Sequence, residues 1–326
     1  MENYPLSVDD ELPVKDLPAL TEWSENYAFV CYDHDRKVGF AAYIGRWVKN
    51  PVIWREQFFV YLPDGSCLSS ISFGKAPSRE QLTAGCLTFC CEKPGGRWTI
   101  DYEGPMRHDF PNELMKEPVE QANVTNVKFH LDLDHEYPVW MFPGADGNTT
   151  FGKFHYEQMG HGIGRIEVNG KQIDFAAPSY RDHSRGPRNL SHFDGHLWLQ
   201  LHFPSGVSFS TYQVWHNDGD EVHNVLNLAA SFRPGEIREA AVVELERLRT
   251  PEKLWDPFSI TIAMEGKEVA LTGKPLAALT NSVSKEFELY YGLVPSIADF
   301  FNFEQPFLFE CDAGLVKGYM QRTGPF

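Results

Sequence analysis

The sequence predicts an all-β protein of two packed domains, and three observations predict it. Turn signals recur at short intervals, the runs between them are strand-sized and rich in aromatic and β-branched residues, and helical periodicity is scarce. A chain of 326 residues is also too long for one small core.

In chain order the turns are Pro63-Asp64-Gly65, Pro94-Gly95-Gly96, Asn169-Gly170, Pro204-Ser205-Gly206, Asp218-Gly219 and Glu265-Gly266. Glycine accepts the positive φ that such turns need, and Asn-Gly is the strongest short hairpin signal. Strands are expected over Gln57 to Leu62, Lys128 to Leu133, Ile163 to Val168, Val207 to Trp215, Phe258 to Met264 and Phe287 to Tyr291. Helices are expected only over Arg79 to Thr83, over Glu113 to Gln121 (interrupted by Pro118) and near Ser296 to Phe301. None of these is long enough to organise a βαβ unit. Many short strands separated by turns suit barrels or sandwiches. We expect domains over residues 1–220 and 221–326, because the stretch from His216 to Asn224 is polar and carries a turn.

Composition narrows the function. A formal charge of −16 argues against a protein that grips a nucleic-acid backbone, which needs a basic footprint, and against adsorption to anionic lipid. The longest apolar runs, such as Ile260-Thr261-Ile262-Ala263-Met264, fall well short of the roughly 20 residues of a spanning helix. The start Met-Glu-Asn-Tyr-Pro, followed by Asp9, Asp10 and Glu11, is unlike a secretory signal, so a cytoplasmic address is expected. Cysteines 31, 67, 86, 90, 91 and 311 form no pair of CxxC knuckles and are expected to be free thiols. An aromatic content of 14% fits a large β core or a ring-lined ligand cavity.

The chemistry concentrates between Phe151 and His216. The segment Tyr180-Arg181-Asp182-His183-Ser184-Arg185-Gly186-Pro187-Arg188 holds three guanidiniums and a carboxylate, which are costly to bury unless paired. It is either a salt-bridged surface loop or a preorganised acid–base cluster at a pocket mouth. In an extended strand Arg181 and Asp182 face opposite ways. Further on, Gly195 to His202 alternates, with the leucines on one face and His196, Trp198, Gln200 and His202 on the other. Eight of the twelve histidines lie between His155 and His223. Their spacing contains no HExxH and no His-x-His with a downstream Glu, so it does not sharpen a metal site and none is expected.

This region resembles the lipocalin-like superfamily that contains the bacterial carotenoid hydratases (hydroxyneurosporene synthase). It is closer still to proteins carrying a YEQ…G…G…NG…DF…RDHSWGPR pattern. Here that pattern reads Tyr156-Glu157-Gln158, Gly160, Gly164, Asn169-Gly170, Asp174-Phe175 and Arg181 to Arg188. The closer resemblance extends to Glu22-Trp23-Ser24-Glu25 and Leu62-Pro63-Asp64-Gly65, whereas that to the hydratases rests mainly on residues 156 to 215. It implies two lipocalin-like β-barrel or β-sandwich domains and a pocket for a hydrophobic terpenoid, steroid or aromatic molecule. Relatives hydrate, cyclise or rearrange such molecules without a redox cofactor, and the alkene-protonating aspartate of the hydratases would correspond to Asp182. Arg185 stands where relatives usually carry tryptophan; an arginine repels a carbocation that an indole face would stabilise.

The expected protein is therefore a cofactor-independent lyase or isomerase. Asp182, His183 and Tyr180 are the catalytic candidates, with an ionised Asp182 orienting His183 as one version. Arg185, Arg188, Tyr156, Glu157, His196, Trp198, His202, Tyr212 and Trp215 are the substrate-binding candidates, with Trp198 and Trp215 forming the pocket wall. A non-catalytic carrier of a hydrophobic ligand is the alternative, and a metal-dependent enzyme using the histidines the third. The expected partner is a hydrophobic small molecule, with no nucleic acid and no membrane insertion. The oligomeric state is open, a homodimer included.

Overall fold

The computed structural model describes residues 5–19, 23–48, 50–110, 123–142, 154–187, 195–203, 205–219, 221–245, 258–278, 283–286, 289–301 and 316–324. The chain divides into one compact unit ending at Asn189 and a second beginning at Leu190. The polar stretch from His216 to Asn224 belongs to a hairpin within the second unit.

The first unit opens with one helical turn, α1 (Val8–Glu11), capped reciprocally by Ser7 and Asp10. Eleven strands follow: β1 (Trp23–Asp33), β2 (Val38–Trp47), β3 (Asn50–Tyr61), β4 (Cys67–Gly74), β5 (Gln81–Thr83), β6 (Leu87–Lys93), β7 (Arg97–Asp109), β8 (Val124–Asp134), β9 (Trp140–Met141), β10 (Phe154–Val168) and β11 (Lys171–Pro187). Their order is β4-β3-β2-β1-β11-β10-β8-β7, and pairing of β7 with β4 at Cys67↔Asp109 and Leu68↔His108 returns the sheet on itself. Eight antiparallel strands thus form a closed barrel, which has no free edge to aggregate through. β6 and β5 branch from β7, and β9 pairs with β10.

Alternation decides which side chains enter the barrel. β8 alternates exposed and buried residues along most of its length, and Val127, Phe129, Leu131 and Leu133 all point inward. The same inward face collects Phe29, Phe40, Phe58, Phe89, Trp98 and Tyr102, with ring centroids such as Phe29–Phe89 at 4.9 Å and Phe58–Phe129 at 5.1 Å. The barrel interior is a packed aromatic core. The high aromatic content follows the core reading in this unit.

The hairpin β10–β11 turns at Asn169 (φ 52°) and Gly170 (φ 74°), both left-handed, as a two-residue primed turn requires. Gly160 is fixed by close approach: a Cβ there would sit 2.5 Å from the backbone oxygen of Asp134 and 2.7 Å from the His135 ring.

The second unit contains β12 (Gly195–His202), β13 (Ser208–Asp218), β14 (Glu221–Arg233), β15 (Glu236–Leu245), β16 (Phe258–Met264), β17 (Lys267–Ala278), β18 (Val283–Glu286), β19 (Leu289–Phe301) and β20 (Val316–Gly324). Their order is β17-β16-β15-β14-β13-β12-β20-β19-β18, with a further pairing of β17 to β19. Its core gathers Leu197, Leu199, Leu201, Phe209, Ile260 and Ile262. The alternation expected for Gly195 to His202 is observed, with the leucines inward.

Two expected helices are strands. Leu82 pairs with Phe89 inside β5–β6, and Ser296 to Phe301 lies in β19 against β20 and β17. Short apolar runs carry no period long enough to separate helix from strand, and pairing partners decided both cases. The third, Glu113 to Gln121, lies outside the described residues. Cys31, Cys67, Cys86, Cys90 and Cys91 are free thiols, and Cys311 lies outside the described residues. Among the described residues no helix is long and apolar enough to cross a membrane.

Candidate active site

β11 lies between β1 and β10, so Tyr180 to Arg185 have a strand on each side, Gly186 and Pro187 pair with β1, and the segment is not a surface loop. Alternation sends Arg181, His183 and Arg185 to the inner face with Tyr27 and Phe29, their register partners or neighbours on β1. Tyr180, Asp182 and Ser184 take the outer face. Tyr156 and Gln158 of β10 share the inner face, and His155 and Glu157 share the outer one.

The inner group closes one end of the barrel. Glu11, at the end of α1, is fully buried and ion-paired with Arg181. It also accepts hydrogen bonds from Trp98 Nε1 at 2.6 Å and from the Tyr156 hydroxyl at 2.9 Å. Arg181 donates further to Gln158 Oε1 at 2.6 and 3.0 Å. Burial opposes charge on Glu11, but the Arg181 guanidinium outweighs it and holds the carboxyl below its ordinary range. His183 stacks on Tyr27, with centroids 4.0 Å apart, and its Nε2 lies 3.4 Å from Glu25 Oε1. Burial pushes the His183 imidazole down despite that carboxylate, so a neutral ring can still donate to Glu25. Glu25 also faces Arg46 Nε at 3.2 Å and accepts from the Val14 N–H. Burial opposes its charge too, but the His183 hydrogen bond and Arg46 hold its carboxyl low. Arg185 donates to the Asp9 carbonyl at 2.9 Å and lies over the Phe154 ring.

The outer group is different in kind. Asp182 Oδ2 contacts His155 Nε2, which lies 3.8 Å from Glu157 Oε1, and the Tyr180 hydroxyl donates to Glu157. Glu157 is fully buried, His155 nearly so, and the Asp182 side chain is 13% exposed. Phe142 stacks on the His155 ring at 3.9 Å and meets Trp140 at 4.7 Å. Strand register places Ala28, Asp182, Glu157 and Trp140 in one row across this face. The rows on either side are Asn26, Ser184 and His155, and Val30, Tyr180 and Met159. His155 is the one basic side chain in these three rows. One donor atom from each of His155, Glu157 and Asp182 lies within 4.8 Å of the other two, close enough for the three to hold a metal ion.

The expected site is thus divided. Tyr180, Asp182 and Glu157 come together; Tyr156, His183 and Arg185 lie on the opposite face, in the ion-pair network. Asp182 therefore does not orient His183: adjacent residues of a strand point apart, and the partner of Asp182 is His155. The sequence contained the signal, since His155 and Glu157 two apart in a strand must share a face, and Glu157 is the register partner of Asp182. In the second unit, Trp198 and Tyr212 are register partners on one buried face, and His202 Nδ1 lies 2.9 Å from Ser208 Oγ. Trp215 is not on that face. It packs in the apolar core with the leucines, so Trp198 and Trp215 do not form one wall. His196 lies in β12, its side chain outside the description, and Arg188 lies outside the described residues.

A family model described as Domain of unknown function (DUF7064) matches residues 9–299. No curated protein matches the chain significantly. Among solved structures, a protein assigned as AttH from Nitrosomonas europaea is 13% identical at a TM-score of 0.60, covering 97% of this chain and 99% of its own. CghA, solved with Sch210972, is 12% identical at 0.59, covering 94% and 89%. Kievitone hydratase from Nectria haematococca is 11% identical at 0.53, covering 99% and 96%. These likenesses fix the fold as lipocalin-like and all-β.

Proposed function

The chain belongs to the DUF7064 family, and from that premise we propose that it is a lyase or isomerase that works on a hydrophobic small molecule by proton transfer. The observation that carries the reading is the buried contact of His155 with Asp182 on a face shared with Glu157, Tyr180, Trp140 and Phe142. A carboxylate and an imidazole in contact can pass one proton between them, and low polarity around them strengthens every charge the reaction develops. Hydration, elimination and double-bond migration each need one proton delivered and one removed, with no change of oxidation state. Asp182 with His155 supplies that pair; Tyr180 orients Glu157 beside it.

The objection raised by Arg185 loses force in this geometry. Arg181 and Arg185 point into the barrel, where Glu11, Gln158 and the Asp9 carbonyl engage them. Their charges are engaged there and not at the face that carries Asp182. The aromatic surface of Trp140 and Phe142 suits an apolar or cationic intermediate. Sharing a fold with a hydratase makes water addition a reaction this scaffold can host, by analogy of fold alone. In the resemblance to carotenoid hydratases, Asp182 is again the acid. The carrier reading is weakened in the first unit, where the barrel interior is filled with aromatic side chains.

The test begins with mass spectrometry of compounds extracted from the purified protein, to identify a candidate substrate. That compound is incubated with wild type and with Asp182→Asn and His155→Gln. The expected product is an isomer, or differs by one water, and its formation falls at least about 100-fold in either variant. Turnover unchanged in Asp182→Asn refutes the assignment.

A further inference from the structure

We infer that His155, Glu157 and Asp182 form a binding site for one divalent transition-metal ion. Three observations lead there. Glu157 and Asp182 are direct cross-strand partners on the same face, and like charges so placed repel. Both are largely removed from solvent, where that repulsion is poorly screened. The three rows of residues around them contain one basic group, His155, which also lies within 4.8 Å of both carboxylates. A divalent ion held by all three donors turns that repulsion into shared attraction.

The donor set selects the kind of ion. One imidazole nitrogen and two carboxylate oxygens suit zinc, iron or manganese, whereas calcium takes 6–8 oxygen donors. Three protein donors leave a coordination position for water or a ligand oxygen, the arrangement typical of open rather than structural sites. The donors are held rigidly: His155 and Glu157 are two residues apart on β10, and Asp182 is fixed opposite Glu157 by continuous β10–β11 pairing. Phe142 stacked on the His155 ring limits its rotation. The Tyr180 hydroxyl, donating to Glu157, orients a first ligand in the manner of an outer-shell hydrogen bond.

A metal ion and a proton compete for the same lone pairs. Metal binding to such donors therefore releases protons and tightens as pH rises. An ion in the site also removes Asp182 and His155 from proton transfer. The inference does not depend on the proposed activity, because binding is measured without turnover.

The experiment is isothermal titration of the full chain, stripped with chelator, with zinc chloride and separately with manganese chloride. It is run at two pH values and in two buffers of different ionisation enthalpy. The expected result is one ion per chain, proton release, and tighter binding at the higher pH. His155→Ala and Glu157→Gln each weaken binding by about tenfold or more, with circular dichroism unchanged. Asp182→Asn, which keeps the side-chain shape, serves if either misfolds. His130→Ala, which removes an exposed imidazole lying between Asp101 and Asp132, leaves the affinity as it was. Absence of binding overturns the inference, as does binding kept in the site variants or lost in His130→Ala.

Discussion

Replacing Glu11 by Gln isolates one buried charge. The side chain keeps its shape and can still accept from Trp98, but the Arg181 guanidinium, 1% exposed, loses its counter-charge and keeps only Gln158 and Tyr156 as neutral partners. Breaking a buried pair on one side costs about 3–5 kcal/mol, most of it the stranded charge. With a urea slope of about 2 kcal/mol per M, the midpoint of the first unit's transition falls by about 2 M. The emission of Trp98, whose indole N–H bonds to Glu11, is the local probe. The pair argument makes a second demand. Removing both charges in Glu11→Gln with Arg181→Met recovers most of the loss, because the stranded cation is gone. A midpoint shift worth less than about 0.5 kcal/mol for Glu11→Gln refutes the reasoning. So does a double variant no more stable than the single one.

The same carboxylate governs acid stability. Its folded-state pKa is depressed below the ordinary 4.5, so its contribution is fully present above that value and is lost as pH falls through the folded value. Below about pH 4.5 the wild type therefore loses stability more steeply than Glu11→Gln, and the two converge in strong acid; parallel acid titrations followed by circular dichroism test this. In the metal-free protein, Asp182→Asn relieves a like-charge pair but weakens the His155 contact, so the urea midpoint shifts by under about 1 kcal/mol in either direction, unlike the loss in Glu11→Gln. Gly160→Val drives side-chain atoms into the backbone of Asp134 and costs at least about 1–3 kcal/mol, seen as a lower Tm. Trp215→Ala opens a cavity in the core of the second unit and costs about 3–5 kcal/mol; stability unchanged contradicts its placement there.

Much of the fold was legible because strands and two-residue turns declare themselves locally. The six turns named from glycine chemistry carry left-handed glycines at Gly65, Gly95, Gly170, Gly206, Gly219 and Gly266. Ring closure was not legible, since it depends on pairing between β4 and β7, strands distant in sequence. The site was half legible. Alternation alone separates Arg181 from Asp182, and applied consistently it also separates Asp182 from His183 and joins His155 to Glu157. What no local pattern announces is Glu11, which meets Arg181 across 170 residues of chain. Trp215 was misread although alternation gives its face: it lies an even number of residues from Phe209 and an odd number from Tyr212, which puts it with the leucines and away from Trp198.

The ion pair of Glu11 with Arg181 also sets a schedule for synthesis. A ribosome adding about 5–20 residues per second needs roughly 10–30 s to travel from one to the other. From the completion of β2 to the end of that interval, β1 has β2 beside it and its other edge open, because its second neighbour, β11, is not yet made. The nascent chain carries an unpaired edge rich in apolar residues, Phe29 and Val30 among them, and cannot seal it by local rearrangement. The vulnerable period for this protein is its own translation, and a slower ribosome lengthens it in direct proportion.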